Sequence, residues 1–186
     1  MLIEEVTETL TQGTILVDVL LVVGWLGWLL RKKGFKIGRA ELVYRWIEEN
    51  GLILAWLMAV IAMSGSLFFS EIAKFEPCVL CWYQRILMYP LVLIIGLAIL
   101  RKDKNVLPYI LVMSLMGLII ALYHYYVQVS GVEIVPCFVS GYSASCTQQF
   151  VLRYGYVSIV SMSATAFGLI SSIGMMMMGK KQNERI

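Results

Sequence analysis

The sequence predicts an all-α membrane protein with four transmembrane helices preceded by one shorter N-terminal transmembrane helix. Three observations predict it. Apolar residues make up 60% of the 186 residues and charged ones only 15%, where a soluble domain is about half apolar and a quarter charged. The mean hydropathy is +0.80. The charges are also segregated, with long stretches carrying none and short connectors carrying most of them.

A span requires about 20 predominantly apolar residues at a rise of about 1.5 Å each. Thr14 to Leu30 is the first candidate; it is short and contains Asp18, but Trp25 and Trp28 near its end suit an interfacial aromatic belt. Gly51 to Ser70, Trp82 to Leu100, Leu107 to Gln128 and Gly155 to Met178 follow, and each meets the length criterion. The expected organisation is an N-terminal extension over 1–50, with its span at 14–30 and a basic cytoplasmic segment. A four-helix domain over 51–178 and a basic cytoplasmic tail over 179–186 complete it. The first apolar stretch lacks a basic n-region and runs directly into Arg31-Lys32-Lys33, which predicts a retained stop-transfer span rather than a cleaved signal peptide.

The connectors predict the orientation. Twelve of the fifteen Lys and Arg fall in the 31–45 connector, the 101–104 connector and the segment after the last span. Five alternating spans put all twelve on one side, and basic residues mark the cytoplasmic side. In that position they report topology, so the net charge of +3 carries no implication of nucleic-acid binding. The acidic start (Glu4, Glu5, Glu8), the loop Glu71 to Cys81 and the loop Val129 to Tyr154 fall on the outer side of a multi-pass cell-membrane protein, and with them all four cysteines.

Those cysteines form two pairs. Cys78 and Cys81 make a C-x-x-C after Pro77, where an outer loop enters a span. The thiolate is the reactive form of cysteine, and the partial positive charge of a helix N-terminus lowers a thiol pKa. Arg85 follows Cys81 by four residues and shares its helical face. Its guanidinium can support a thiolate or hold a carbonyl oxygen; the blander alternative is a cation snorkelling to the surface.

Cys137 and Cys146 lie in the last outer loop, separated by eight residues and preceded by Pro136. Such a pair on its own reads as a loop staple. Beside a C-x-x-C on the same face it can instead pass electrons by thiol–disulfide exchange. A zinc site drawing on all four cysteines is the structural alternative, which the unequal spacings do not exclude; no metal is expected. His124, the sole histidine, sits a turn before the outer end of its span. It is a candidate for binding or protonating a redox partner, against the common structural role of a lone histidine. No flavin, nucleotide or haem motif is present, so the acceptor expected for a repeatedly reoxidised dithiol is a lipid-soluble quinone held in an apolar groove.

The segment Glu-Pro-Cys78-Val-Leu-Cys81-Trp-Tyr-Gln-Arg85 resembles the C-x-x-C segment of the disulfide bond formation protein B (DsbB) family, and within it the compact BdbC-like branch. The likeness continues through Ala121-Leu-Tyr-His124-Tyr-Tyr-Val-Gln128, Pro136-Cys137, Cys146 and Thr165-Ala-Phe, over residues 51 to 178. The resemblance implies a DsbB-like four-helix bundle that oxidises a DsbA-like thioredoxin-fold protein and hands the electrons to ubiquinone or menaquinone. It further implies that Cys137 forms the mixed disulfide with that partner and that Cys146 passes electrons to Cys78. Cys81 would meet the quinone and Arg85 would hold a quinone oxygen. The loop between Cys137 and Cys146 is shorter than in the larger members of the family, and the first fifty residues, Asp18 included, lie outside the resemblance. Two other classes stand against this reading: a structural protein whose disulfides brace outer loops, and a transporter with Asp18 or His124 on an ion path.

Overall fold

The computed structural model describes residues 2–33, 38–132 and 145–183, so Cys137 lies outside the described residues. Five long helices carry the chain: α1 (Leu2–Lys32), α2 (Gly38–Leu67), α3 (Val79–Arg101), α4 (Leu107–Ser130) and α5 (Ile159–Asn183). A two-residue antiparallel hairpin, β1 (Leu152–Arg153) and β2 (Val157–Ser158), precedes α5. All five helices are long and apolar enough to cross a membrane. Helices α1 to α4 present Val22, Val23, Leu57, Leu93, Ile119 and other large apolar side chains outward, as lipid-facing surfaces do and water-facing ones do not. The chain is a multi-pass membrane protein.

Helices α2 to α5 pack in a ring, each against the next, with α5 closing back onto α2. Leu52, Ala55 and Ala59 meet Met88, Leu91 and Ile95 in its centre, with Ile110, Ala121, Phe167, Ile170 and Ile173 from the other two helices. In lipid this core is held less by exclusion of water than by close packing between helices. Small residues make that possible: a side chain at Gly51 would drive into Ile173 and Met177, and one at Gly117 into the Phe167 ring. Polar groups inside the ring are paired, as in the 3.0 Å bond that Ser171 donates to Ser114. Among the described residues none of α1 belongs to this buried core. The expected architecture, four helices plus one, is the one observed.

The element boundaries differ from the hydropathy spans in an informative way. α1 begins at Leu2, so Glu4, Glu5 and Glu8 form its first turns rather than a tail. α2 begins at Gly38 and runs without a break through residue 50, so the part of the basic connector from Gly38 onward is itself helical. At the other end of α2 the chain widens into a π turn over Phe68–Ile72, closed by the Ala73 N–H on the Phe68 carbonyl at 3.0 Å. The last span starts at Ile159 instead of Gly155, because Tyr154 and Gly155 take positive φ (52° and 79°) to turn the hairpin, a conformation that ends a helical path.

α1 stands against the ring along α5 and the hairpin. Thr7, Thr11 and Thr14 form its buried stripe, with their hydroxyls satisfied by the carbonyls four residues earlier. Thr165 donates to Asp18 at 2.6 Å and Trp25 to Ser172 at 2.9 Å. At the end of α1 nearest the hairpin, Tyr154 donates to Glu8 at 2.8 Å and Arg153 reaches Glu4 at 3.4 Å. Asp18 therefore has a role that its sequence position did not reveal: it pins the extra helix to α5.

Candidate redox site

Cys78 is the N-cap of α3. It has extended backbone (φ −73°, ψ 172°), and its sulfur accepts the backbone N–H of Cys81 at 3.3 Å. A side-chain acceptor at that position satisfies one of the orphan donors of the first turn. The C-x-x-C spacing thus makes the first cysteine the cap and places the second at the third helical position. The two sulfurs are in contact at 2.7 Å, both as free thiols.

His124 approaches from α4 and is 2% exposed. Its Nε2 lies 3.5 Å from the Cys78 sulfur, while Gln84 donates an amide N–H to its Nδ1 at 3.0 Å. Receiving a donor at Nδ1 leaves Nε2 as the protonated nitrogen of the neutral ring, aimed at the sulfur. The Cys78 thiol is held well below the ordinary thiol range: the Cys81 contact lowers it most, burial opposes, and His124 lowers it further. The helix N-terminus acts in the same sense.

Arg85 lies one turn beyond Cys81. Its guanidinium donates to the Ser66 carbonyl of α2 at 3.1 Å and covers the Trp82 ring at 5.4 Å from the centroid. Cys78, Cys81, Arg85 and His124 all border one cavity of about 390 Å³. The three sulfur and imidazole donors of Cys78, Cys81 and His124 also lie within 4.8 Å of one another, close enough to hold a metal ion jointly. The four-cysteine zinc alternative is not assembled among the described residues, since Cys146 is disulfide-bonded.

Cys146 is fully buried and packs in a small cluster with Cys78, Leu80 and Val127. Its segment is tied down on both sides. Gln128 donates to the Gln148 carbonyl at 3.4 Å, and Gln149 donates to the Gln128 carbonyl at 3.1 Å. Ser158 fixes the Gln128 side chain through a 2.8 Å bond. Phe150 stacks on Phe75 at 4.8 Å and 10°, and Phe75 in turn stacks on Phe69 of the π turn. The structure therefore brings together Cys78, Cys81, Arg85, His124 and Cys146.

Two glutamines escaped the sequence reading. Gln84 follows Cys81 by three residues, and that spacing places it on the same helical face. Gln128 closes the quoted segment that begins at Ala121, one turn after His124. Both are buried polar side chains with partners at the site.

The family model for disulfide bond formation protein DsbB matches residues 48–181. The chain is 47% identical over 134 residues to disulfide bond formation protein C of Bacillus subtilis, covering 70% of this chain and 94% of that protein. Against probable disulfide formation protein C of Halalkalibacterium halodurans it is 42% identical over 137 residues, covering 72% and 96%. Against the SPbeta prophage-derived disulfide bond formation protein B of Bacillus subtilis it is 38% identical over 142 residues, covering 74% and 95%. No solved structure matches. The likeness spans nearly the whole of each relative, and α1 precedes the matched residues. With a C-x-x-C at the head of a membrane helix, a second cysteine docked against it and this match over most of its length, the chain belongs to the DsbB family of disulfide bond formation proteins and is an oxidoreductase with a role in disulfide formation.

Proposed function

We propose that the protein is a dithiol:quinone oxidoreductase of the cell membrane that makes disulfides de novo, with its cysteines on the extracytoplasmic face. The observation that carries the reading is the docking of Cys146 against Cys78 beside a cavity shared by Cys81 and Arg85. Arg31 lies at the end of α1, Arg45 lies in the first turns of α2, and Arg101, Lys102 and Lys104 lie at or just after the far end of α3 from Cys78, which supports the orientation.

The cavity fits a quinone head. Its volume of about 390 Å³ falls in the range of small-ligand sites. Its largely apolar walls carry a guanidinium and two thiols at one end. Bound there, ubiquinone or menaquinone accepts two electrons and two protons.

The chain's own residues do the rest by exchange. A thiolate of a reduced thioredoxin-fold, DsbA-like partner attacks Cys137 of a Cys137–Cys146 disulfide, forming a mixed disulfide and releasing Cys146 as thiolate. The partner's second thiol then attacks its own mixed-disulfide sulfur and leaves oxidised, freeing Cys137. Cys146 attacks Cys78 of a Cys78–Cys81 disulfide and releases Cys81 beside the cavity. Cys137 resolves the Cys146–Cys78 bond, restoring the loop disulfide and leaving Cys78 and Cys81 reduced. Arg85 offers a permanent positive charge to the Cys81 thiolate or to a carbonyl oxygen, and His124 shares its Nε2 proton with Cys78. The partner's two electrons and two protons balance those the quinone accepts.

The test uses purified protein, a reduced thioredoxin-fold dithiol protein and a short-chain quinone. One quinone consumed per disulfide formed is expected, with loss of turnover in Cys81→Ser. No quinone consumption by folded protein with all four cysteines intact would sink the reading. A metal centre is the second reading, favoured by the donor cluster of Cys78, Cys81 and His124; stoichiometric zinc retained by the reduced protein through purification would support it.

A further inference from the structure

The extra helix supplies a wall of the redox cavity. Leu10, Gly13 and Val17 of α1 line it together with Cys81 and Arg85. They recur at three- and four-residue spacing, on a face adjoining the buried threonine stripe. The ring itself is closed at its basic end, where Gly51 of α2 lies tight against Ile173 and Met177 of α5. At the cysteine end Ile61 and Gly65 of α2, and Ile159 and Met162 of α5, border the cavity instead. α1 lies across that gap, with Leu10 reaching within 3.5 Å of where a side chain on Gly65 would start.

We propose that α1 is a specificity-determining part of the acceptor site, forming the wall along which the prenyl tail of a quinone leaves the cavity. The proposal rests on the quinone reading of that cavity. The division of residues supports a tail rather than a head: the guanidinium, thiols and imidazole come from α3, its N-cap and α4, and Glu76 from the segment before α3, whereas α1 contributes Leu10, Gly13 and Val17 beside Thr9 and Thr14, whose hydroxyls are already bonded to carbonyls of their own helix. Among the described residues nothing lies within 4 Å of a side chain built at Gly13, which lines the cavity, so the space there can take a ligand. The wall is fixed in place, because Asp18, Trp25 and Glu8 bond α1 to α5 and to the hairpin. Relatives matched over nearly their whole length take up only 70–74% of this chain, and the family match begins after α1, at residue 48.

Gly13→Phe tests it in the full-length protein, with Gly13→Val as the smaller filler should the first variant fail to fold. Leu16→Phe, on the lipid-facing side of the same helix, is the control. Binding is read by quenching of tryptophan fluorescence and turnover by quinol formation, each with a long-tailed and a tail-less quinone. Filling Gly13 should raise KM and weaken binding for the long-tailed quinone about ten- to hundredfold, as overpacking does. The tail-less quinone should change by less than about threefold, and Leu16→Phe should change neither. Unchanged binding and KM for both quinones in a folded Gly13 variant overturn the assignment of α1 alone. Wild-type protein that binds neither quinone overturns the quinone reading itself, and the assignment with it.

Discussion

Removing the Phe150 ring probes what keeps Cys146 against Cys78. The ring lies parallel to Phe75 at 4.8 Å and is 37% exposed. Full burial of a phenylalanine is worth up to about 3 kcal/mol; with over a third of the surface still open, roughly 1–2 kcal/mol of that remains. The aromatic pair adds about 0.5–1.5 kcal/mol. Phe150→Ala should therefore cost the docked segment about 2 kcal/mol, a factor of about 30 in its opening equilibrium. Hydrogen exchange is the direct assay, since local opening sets the rate for amides of 147–150. Those amides should exchange about thirtyfold faster while the buried turns of α3 and α4 keep their protection, and Phe150→Tyr should behave as wild type. Uniform acceleration throughout the bundle, or none in 147–150, would refute the idea that this stack is the local clasp.

Three further outcomes follow from the site. Reduced Cys78 should alkylate readily at pH 6, where an ordinary thiol near pKa 8.5 is only about 0.3% ionised. Its reactivity should be lost as the pH falls through its depressed pKa, and Cys81→Ala, which removes the largest lowering contact, should shift that loss to higher pH; peptide mass mapping of the alkylated site reads both. Arg85→Ala should raise KM for a short-chain quinone by about tenfold or more, as expected for a lost charge-assisted bond, with the KM for the protein substrate unchanged; steady-state kinetics with each substrate varied in turn will show whether the quinone dependence moves. Asp18→Ala removes the acceptor for Thr165 and for Tyr156 and should destabilise the packing of α1 by about 1–3 kcal/mol, seen as a lower unfolding temperature in detergent and partly restored in Asp18→Asn.

The C-x-x-C and Arg85 were legible because both belong to one helix, and intervals of three and four residues fix their common face without knowledge of any neighbour. His124 was legible as a candidate but not in its contact: that it meets Cys78 through Nε2 depends on how α3 packs on α4, a relation carried by Ala121, Met88 and Leu91 and written in no local motif. Gln84 has a spacing signal like that of Arg85, but an amide carries no charge to mark it. The approach of Cys146 to Cys78 depends on Gln128, Phe75 and Phe150, which are far apart in sequence. Hydropathy found the greasy middle of each span and stopped where charge began, whereas the backbone hydrogen bonds of α1 and α2 continue through Glu4, Glu5 and Arg45. The late start of α5 follows from the left-handed turn at Tyr154 and Gly155, which a long apolar stretch conceals.

The lengths of α1 and α2 have a mechanical consequence. At 31 and 30 residues each rises about 45 Å, against a hydrocarbon slab of about 30 Å, so upright they overshoot it by some 15 Å. Arg31 at the end of α1 ties the overhanging stem of α2 through Glu41 and Glu48 at 3.1 Å, and the Tyr44 hydroxyl donates to the Gly24 carbonyl at 2.7 Å. The pair behaves as a keel braced below the waterline. The excess of α2 is this charged stem, whereas that of α1 is its acidic first turns beside the hairpin, so the two helices overhang at opposite ends and both ends carry charged turns suited to headgroups and water.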